Sequence, residues 1–500
     1  MDTINLKDKI ESPTFRLVGE AADGLGREAY VVGGYVRDIF LDRASKDVDF
    51  VTVGSGIELA RAVAGRIAAR SRRKPKLAVY ANYGTAQLHH GDLELEFVGA
   101  RRESYRRDSR NPIVEDGTLE DDQQRRDFTI NAMAICVNAD RFGELVDPFD
   151  GVGDIGRRLI RTPLDPDITF SDDPLRMMRA IRFATQLNFR IDQPTFDAIR
   201  RNASRINIIT KERINDELGK IMRSPRPSIG FKLLDMAGLL EIIFPELVAL
   251  KGVETQEGRG HKDNFLHTLK VVDNLAEKSD DEWLRWAALL HDIAKPVVKR
   301  YDPRLGWTFH NHNFIGEKMI PRIFKRMKLP LNEKMKFVAK MVGLHMRPQS
   351  VADAGVSDSG VRRLITDAGQ DLDSLMLLCE ADITSKIPEK VKRQLAGFAR
   401  LRKRMDEINA ADDYRNWKNP VDGNEIMDRY GFPPGPEIAI FKEIVKDAIF
   451  DGRIPNEHDA ALAYLDSAVE AHRGGHLAEW QAEHSQSQDA APADAESKES

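Results

Sequence analysis

Two neighbouring stretches decide the fold: YVVGGYVRD at Tyr30–Asp38 and SKDVDFVTV at Ser45–Val53. In the first, an apolar run is predicted to form a strand that ends at Gly33 and Gly34, where a helix begins. A glycine turn between a strand and a helix lets backbone N–H groups come close to a phosphate. The second stretch adds acidic side chains just downstream of this turn.

Asp47 and Asp49 stand two residues apart, so on a strand both carboxylates point to one face while Val48 and Phe50 point to the other. Like charges held this close repel one another unless a cation lies between them. Magnesium bound to the phosphates of a nucleotide is the common solution. An isolated D-x-D pair is more often a solvated strand edge, and the glycine turn upstream is what favours a metal site here.

Short β-branched runs alternate with a helical stretch from Tyr30 to about Gly99, which predicts a mixed α/β domain built on a small sheet. One of these runs is LELEFV at Leu93–Val98, in which Glu94 and Glu96 share a face. Either glutamate can supply a third acid, and periodicity does not choose between them.

Beyond Asp154 the pattern becomes helical, so the predicted fold class is α+β, with a mixed-sheet head followed by helical regions. Ser171 is expected to cap the helix that follows it. Residues 104–124, rich in charge, are predicted to form a long mobile loop. After Gly474 the sequence is poor in apolar residues and is predicted to be a disordered acidic tail.

The composition fits a multidomain protein of a reducing compartment. A length of 500 residues suggests several domains, and 41% hydrophobic residues suffice for sizeable cores. Two cysteines, Cys136 and Cys379, exclude a disulfide framework and a four-thiolate zinc site. The first thirty residues lack the apolar core of a signal peptide, and no run approaches a membrane span. We therefore expect a cytoplasmic protein without membrane contact.

Three motifs, in this order, resemble the bacterial and eukaryotic class (class II) of CCA-adding tRNA nucleotidyltransferases and their poly(A) polymerase relatives. They are G-G-x-V-R-D at Gly33–Asp38, D-x-D at Asp47–Asp49 and RRDFTINAMA at Arg125–Ala134. The resemblance continues through DPFDG at Asp147–Gly151, RLIRTP at Arg158–Pro163, DDPLRMMRAIRFA at Asp172–Ala184 and RINDELGKI at Arg213–Ile221.

The resemblance implies roles for many of these residues. Asp47 and Asp49 are expected to hold two Mg2+ ions, and Glu96 is expected to be the third catalytic acid. Asp127 would help to select a ribonucleotide through its 2′-hydroxyl. The expected reaction is attack by the 3′-hydroxyl of an RNA end on the α-phosphorus of a nucleotide. The nucleotide-binding residues implied by the resemblance are Gly33, Gly34, Arg37, Arg126, Asp127, Asn131, Asp173, Arg176, Arg179 and Arg182.

Asp173 and Arg176 carry the most informative chemistry. Three residues apart on a helix, they would lie on one face and present an acceptor beside a donor fork. Cytosine and adenine each show an amino donor next to a ring-nitrogen acceptor, whereas guanine and uracil show the reverse. The pair therefore suits CTP and ATP and rejects GTP and UTP, because a mismatch leaves buried polar groups unpaired. Outside this motif context such a pair would be read as a surface ion pair.

A second cluster of chemistry lies in the other half of the chain, where His291-Asp292 closes an apolar helical stretch. The order of histidines and aspartates resembles the HD superfamily of metal-dependent phosphohydrolases. The implied core metal ligands are His267, His291, Asp292 and Asp382. His312 and His345 would complete a two-metal site for a divalent metal of unknown identity, and His310 is the weakest candidate. Hydrolysis of damaged RNA ends and a structural or RNA-docking role both remain open for this region.

The resemblance reaches about residue 470, and it implies tRNA as partner, bound at its 3′ end and, through Gly431–Ile454, at its elbow. Five domains are predicted. They are a head (1–154), a neck that recognises the base (155–245), an HD domain (246–400), a helical tRNA-binding region (401–474) and the tail (475–500).

Addition of CCA to tRNA from CTP and ATP is the leading functional hypothesis. Poly(A) polymerase and an A-adding enzyme that works beside a separate CC-adding enzyme are the nearest alternatives. Signalling enzymes that join a nucleotidyltransferase to an HD domain, and an RNA-binding scaffold without activity, are more distant ones.

The formal net charge of −5 argues against an overall basic nucleic-acid binder. The charge is unevenly distributed, however, because Leu477–Ser500 alone holds six acids and one lysine. Gly156–Gly230 holds fifteen Lys and Arg against nine Asp and Glu. This basic stretch is the electrostatic signal expected of a region that binds RNA.

Overall fold

The computed structural model describes residues 4–70, 75–104, 113–253, 255–256, 259–260, 263–353, 355–385, 387–411 and 414–484. Its described residues fall into two compact units. The first unit consists of Met1–Arg285, Tyr301–Trp307 and Pro321–Leu331, and the second of Trp286–Arg300, Thr308–Ile320 and Asn332–Ser500. The domain limits predicted from the sequence remain predictions.

The strands are short and most lie before residue 150. They are β1 (Ala29–Val32), β2 (Asp47–Thr52), β3 (Leu77–Tyr80), β4 (Thr85–His90), β5 (Leu93–Gly99), β6 (Arg101–Ser104), β7 (Ile113–Asp116), β8 (Ala134–Cys136), β9 (Leu145–Val146), β10 (Leu159–Ile160), β11 (Arg190–Ile191), β12 (Thr255–Gln256), β13 (Arg259–Gly260), β14 (Arg300–Asp302) and β15 (Gly306–Thr308).

Helices dominate the rest of the chain. The first half contains α1 (Lys7–Ile10), α2 (Pro13–Gly24), α3 (Gly34–Phe40), α4 (Gly56–Arg70), α5 (Leu119–Gln124), α6 (Gly151–Arg157), α7 (Pro166–Asp172), α8 (Leu175–Leu187), α9 (Gln193–Asn202), α10 (Lys211–Met222), α11 (Pro227–Met236), α12 (Leu239–Ile243) and α13 (Pro245–Val248). The second half contains α14 (Asn264–Ala276), α15 (Glu282–Leu290), α16 (Lys295–Val298), α17 (His312–Met327), α18 (Glu333–Leu344), α19 (Arg347–Asp353), α20 (Asp358–Ala368), α21 (Leu372–Ala381), α22 (Pro388–Ala411), α23 (Gly423–Tyr430), α24 (Pro436–Phe450), α25 (His458–Arg473) and α26 (Leu477–His484).

The head is organised by a seven-stranded sheet in the order β3-β4-β5-β2-β1-β8-β9. Strands β2 and β5 run parallel at its centre, and the other neighbouring strands are antiparallel. A mixed sheet followed by a helical remainder confirms the α+β fold class.

The alternation of side chains along β2 and β5 is the one that the sequence predicts. Val48, Phe50, Leu95 and Phe97 are buried on one face, where the Phe50 and Phe97 rings stack with centroids 5.2 Å apart. This packing, worth about 0.5–1.5 kcal/mol beyond the buried area itself, fixes which face of the sheet is apolar. The carboxylates of β2 and β5 consequently emerge together on the opposite face.

The prediction of a loop over residues 104–124 is wrong for its described part. Strands β6 and β7 pair as an antiparallel ribbon, and helix α5 follows them. The overlooked signal is a capping box, in which the Thr118 hydroxyl accepts from the Asp121 N–H while the Asp121 carboxylate accepts from the Thr118 N–H. Residues 105–112 lie outside the described residues.

The predicted disordered tail, 475–500, is likewise wrong for its first part. Residues Leu477–His484 form helix α26, and Trp480 is buried. Its ring centroid lies 4.2 Å from that of His484 and 5.2 Å from that of Tyr464. One large aromatic side chain thus anchors a segment whose composition is otherwise polar. Residues 485–500 lie outside the described residues.

Candidate active sites

The central parallel strands bring the acids of the head together in a defined register. Asp47 stands opposite Glu94, and Asp49 stands opposite Glu96. Glu94 is exposed and lies 3.6 Å from His89, whereas Glu96 is half-buried. The fold therefore separates two glutamates that periodicity left equivalent, because Glu96 is the one that shares a row with Asp49.

Asp49 lies at the mouth of a pocket. Its side chain reaches solvent, but enclosure by the surrounding protein raises the pKa of this carboxyl, Arg126 opposes the shift, and Glu96 and Asp47 add to it. Within the described part of the chain, the carboxylate oxygens of Asp47, Asp49 and Glu96 do not all lie within 4.8 Å of one another.

The predicted turn at Gly33 and Gly34 is present, since β1 ends at Val32 and α3 begins at Gly34. Gly33 has a φ of 75°, a backbone conformation that residues other than glycine rarely adopt. A Cβ on Gly33 would lie 3.2 Å from Asp49 Oδ2 and 3.3 Å from a terminal nitrogen of Arg126. The glycine is thus required both by the turn and by the close approach of two charged side chains.

A network of buried polar groups surrounds Asp127. The Asp127 carboxylate accepts hydrogen bonds from its neighbour Phe128 N–H at 2.8 Å, from Asn131 Nδ2 at 3.0 Å and from Arg179 Nε at 2.7 Å. Burial pushes its pKa upward, but Arg179 and the Asn131 hydrogen bond hold the pKa below its usual value. Arg37 donates to Asn131 Oδ1 at 2.9 Å, so three cooperating side chains fix this anionic group.

The junction between α7 and α8 differs from the prediction. Ser171 lies inside α7 and does not cap α8, and Asp173 lies between the two helices with extended backbone. Asp173 accepts from the Leu175 N–H at 3.1 Å and so helps to begin α8. The reason is Pro174, which disfavours the helical conformation at the residue before it.

The sequence predicted that Asp173 and Arg176 share one helical face. This prediction is wrong, because Asp173 lies before α8 begins. Arg176 lies in the first turn of α8 and donates to the backbone carbonyl of Arg125 at 2.7 Å. Further along α8, Arg182 lies 2.6 Å from the buried Glu217 of α10 and 4.0 Å from the centroid of the Phe183 ring.

These residues border one cavity of about 470 Å3, hereafter the nucleotide pocket. All ten predicted nucleotide-binding residues line it, together with Asp49. Sequence reasoning missed four further lining residues, of which Arg213 begins a stretch already noted as family-like. They are Arg125, Leu175, Phe183 and Arg213.

The second unit holds a compact group of side chains, hereafter the histidine cluster, composed of His291, Asp292, His312, His345 and Asp382. In each histidine, Nδ1 lies 2.7–2.8 Å from the carbonyl oxygen three residues earlier. This contact makes Nδ1 the protonated nitrogen and leaves the Nε2 lone pair for a ligand.

The Nε2 atoms of these rings converge on Asp292. His291 Nε2 lies 3.2 Å from one carboxylate oxygen, His312 Nε2 lies 3.4 Å from the other, and His312 Nε2 and His345 Nε2 are 3.2 Å apart. The ligand atoms of Asp292, His312 and His345 all lie within 4.8 Å of one another, and all three residues are buried. Imidazole nitrogens and a carboxylate in this arrangement suit a divalent transition metal.

The electrostatics of the histidine cluster are those of a cation site. Burial pushes the pKa of Asp292 upward, but His291 and Lys295 hold it well below its usual range. Burial lowers the pKa of His345 to about 4, so this ring stays neutral and able to bind a metal. Lys295 donates to Asp292 at 2.6 Å, and Asp382 lies 3.7 Å from His291 Nε2.

The remaining histidines are placed as follows. His267 is buried on α14, within the first unit, and its role as a ligand remains a prediction. His310 is exposed. Ala294, two residues after Asp292, is buried.

Three family models match successive parts of the chain. Residues 29–161 match the poly(A) polymerase head domain, residues 188–250 match the probable RNA and SrmB-binding site of polymerase A, and residues 264–387 match the HD domain. The A-adding tRNA nucleotidyltransferase of Deinococcus radiodurans is 32% identical over 444 residues, covering 86% of this chain and 94% of the relative. The chain belongs to the tRNA nucleotidyltransferase family.

Other members of this tRNA nucleotidyltransferase family agree with that assignment. The multifunctional CCA protein of Shewanella frigidimarina is 30% identical over 370 residues, covering 71% of this chain and 84% of the relative. A solved tRNA nucleotidyltransferase with a primer tRNA and an incoming ATP analogue is 26% identical with a TM-score of 0.52, covering 77% of this chain and 98% of that one.

The fold is also that of the Thermotoga maritima CCA-adding enzyme in complex with tRNA. This structure is 22% identical with a TM-score of 0.58, and the match covers 93% of this chain and all of that one, 100%. By its relatives and family matches, the protein is a nucleotidyltransferase of tRNA processing that carries an HD domain, and the head and HD families both depend on metals. In the described residues, none of the helices is long and apolar enough to cross a membrane.

Proposed function

We propose that this enzyme adds C, C and A to the 3′ end of tRNA from CTP and ATP. The observation that carries the proposal is the nucleotide pocket, whose lining includes Asp49 as well as Asp173 and Arg176. One cavity thus offers both a place for metal-bound phosphates and a protein surface that can read a base.

Asp47, Asp49 and Glu96 fit a magnesium site, since they offer hard oxygen ligands from two adjacent strands. The raised pKa of Asp49 fits this assignment, because enclosure and neighbouring carboxylates favour either a proton or a cation there. Bound Mg2+ would activate the 3′-hydroxyl and neutralise the leaving pyrophosphate. Glu94, paired at the surface with His89, has no part in the proposed site.

The rest of the pocket would hold the nucleotide. Arg37, Arg126 and Arg179 supply positive charge for the triphosphate, and Asp127 supplies a fixed carboxylate for the ribose hydroxyls. Asp173 would accept from the exocyclic amine of cytosine or adenine, and Arg176 would donate to the adjacent ring nitrogen. Guanine and uracil would leave both groups unpaired, which is the physical basis of selection without a template.

The alternatives are an A-adding enzyme, as in the relative from Deinococcus radiodurans, and a poly(A) polymerase. The test is to incubate the enzyme with tRNA that ends at the discriminator base and with tRNA that ends in CC. The proposal expects CTP to extend the first substrate by two residues and ATP to complete both. Extension of the CC-ended substrate alone would show an A-adding enzyme, and long A runs would show a poly(A) polymerase.

A second function is favoured by the histidine cluster. We propose that its residues bind divalent metal and hydrolyse phosphate esters such as 2′,3′-cyclic phosphates at RNA ends. The fixed tautomers of three rings around one carboxylate support this proposal. Release of a 2′- or 3′-monophosphate from 2′,3′-cyclic AMP, lost in His345→Ala and in chelator, is the expected result. A metal-replete enzyme that leaves the cyclic ester intact would contradict it.

Contact of Gly431–Ile454 with the tRNA elbow and a cytoplasmic location are further parts of the proposal. Removal of residues 431–484 is expected to raise KM for whole tRNA far more than KM for an acceptor-stem minihelix.

A further inference from the structure

Helix α5, between the ribbon and the RRD motif, carries a buried acid that the reaction described above does not use. Asp122 has no exposed surface, and its carboxylate accepts from both arginines that follow the helix. Arg125 Nε donates at 3.0 Å, Arg126 Nε donates at 2.9 Å, and an Arg126 terminal nitrogen lies 2.8 Å away. One carboxylate thus holds two guanidinium groups at i,i+3 and i,i+4 spacing.

The helix that carries Asp122 is itself fixed to the sheet. Gln123 is buried, and its side-chain amide donates to the carbonyl of Ala132 at 2.7 Å and to that of Val146 at 3.0 Å. Asp122 is therefore attached to a rigid support rather than to a free loop.

The two arginines both line the nucleotide pocket. Arg126 extends toward Gly33 and Asp49, since a Cβ on Gly33 would lie 3.3 Å from a terminal nitrogen of Arg126 and 3.2 Å from Asp49 Oδ2. The backbone carbonyl of Arg125 accepts from Arg176, the proposed base reader. The position of one short helix consequently determines both the charge beside the catalytic acids and the anchor of the base-reading guanidinium.

We propose that Asp122 is a positioning residue for nucleotide selection, which sets Arg126 beside the triphosphate and, through Arg125, sets Arg176 against the base. Asp122 touches neither metal nor nucleotide and acts through these two neighbours. The inference rests on the proposed function, because it assigns Asp122 to the same pocket and to the same choice of CTP and ATP.

Asp122→Asn keeps the shape of the side chain but can no longer accept from both guanidinium groups. We expect a rise in KM for CTP and ATP and a loss of about 10- to 100-fold in discrimination against UTP and GTP, the range seen when an outer-shell partner is removed. The matched control is Glu120→Gln, an exposed acid on the same helix, which should leave both quantities unchanged.

A buried acid that only stabilises the fold would behave differently. Asp122→Asn would then lower the melting temperature while discrimination, measured well below that temperature, stayed at the wild-type ratio, and this result would overturn the proposal. Arg125→Gln removes one partner of Asp122 from a partly exposed position, so it keeps the test available if Asp122→Asn does not fold. It should shift discrimination in the same direction by a smaller factor, and an unchanged ratio in a folded Arg125→Gln protein would also overturn the proposal.

The controls separate this inference from the proposed function. If wild-type enzyme does not prefer CTP and ATP, the proposed function fails. If wild-type enzyme is selective and the Asp122→Asn enzyme is equally selective, only the role of Asp122 fails.

Discussion

The nucleotide pocket and the histidine cluster hold their functional groups in different ways. In the pocket, side chains from distant parts of the first unit are fixed by other side chains, as Arg179 fixes Asp127 and Asp122 fixes Arg126. In the cluster, each ring is fixed by a backbone carbonyl three residues earlier. The pocket is a cavity of about 470 Å3 lined by charged side chains, which suits a charged substrate, whereas the cluster is a set of mostly buried ligand-type side chains that suits a metal ion.

The largest expected effect concerns Asp49 and Glu96 of the head, because no backbone carbonyl can take over the role of their carboxylates. Asp49→Asn and Glu96→Gln are each expected to lower the rate of addition by about 10³-fold or more, the scale of removing a group that stabilises charge in phosphoryl transfer. Glu94→Gln is the matched control and should retain wild-type activity. The measurement is single-turnover incorporation of labelled CTP, and equal losses in Glu94→Gln and Glu96→Gln would contradict the assignment of the third acid.

The histidine cluster should respond to loss of one ring by losing its metal. His345→Ala is expected to weaken binding of Mn2+ or Ni2+ by more than about 100-fold, since even outer-shell partners cost 10- to 100-fold. His310→Ala, at an exposed histidine, should bind normally. Titration calorimetry on chelator-treated protein makes the comparison, and unchanged affinity in His345→Ala would remove that residue from the metal site.

Base selection in the pocket should be weaker than catalysis but clearly measurable. Asp173→Asn replaces a group that only accepts hydrogen bonds by an amide that both donates and accepts. The preference for CTP over UTP should fall by about 5- to 160-fold, which corresponds to a cost of roughly 1–3 kcal/mol for an unpaired buried polar group. Asp172→Asn, one residue earlier in α7, serves as the control. Competition between labelled CTP and UTP gives the ratio directly, and a preserved preference in Asp173→Asn would move base reading to other residues of the pocket.

The smallest expected effect comes from the turn. Gly33→Ala places a side chain at φ 75°, which costs about 1–2 kcal/mol and crowds Asp49. Because the added methyl group also crowds Asp49 Oδ2 and the Arg126 guanidinium, we expect a loss in kcat/KM of roughly 10-fold, equivalent to about 1.4 kcal/mol of transition-state stabilisation. Gly26→Ala has a similar φ of 64° with nothing within 4 Å of the new Cβ, so it should cost stability but not activity. Parallel loss of activity in both variants would assign the effect to backbone strain alone.

The two regions also differ in how far the sequence predicts them. Alternation predicted that Asp47 and Asp49 share one face, and the ten residues predicted to bind the nucleotide all line one pocket. Periodicity did not separate Glu94 from Glu96, because that choice depends on the register of two strands more than forty residues apart. It also placed Asp173 on a helix that Pro174 interrupts.

In the histidine cluster, the sequence predicted which residues come together but not how their rings are held in place. The contacts from Nδ1 to carbonyl oxygens depend on where each helix begins or ends, and such boundaries are the least certain part of a sequence-based assignment. In the pocket, Asp122 escaped notice because a carboxylate in the run LEDDQQRRD is indistinguishable from its exposed neighbours until burial is known.

We propose that one chain carries two chemically separate sites, and one paired assay tests this separation most directly. Addition of CTP and ATP to tRNA and hydrolysis of 2′,3′-cyclic AMP are measured on the same preparations of wild type, Asp49→Asn and His345→Ala. We predict that Asp49→Asn loses addition and keeps hydrolysis, while His345→Ala loses hydrolysis and keeps addition. Loss of both activities in either folded variant would contradict the separation.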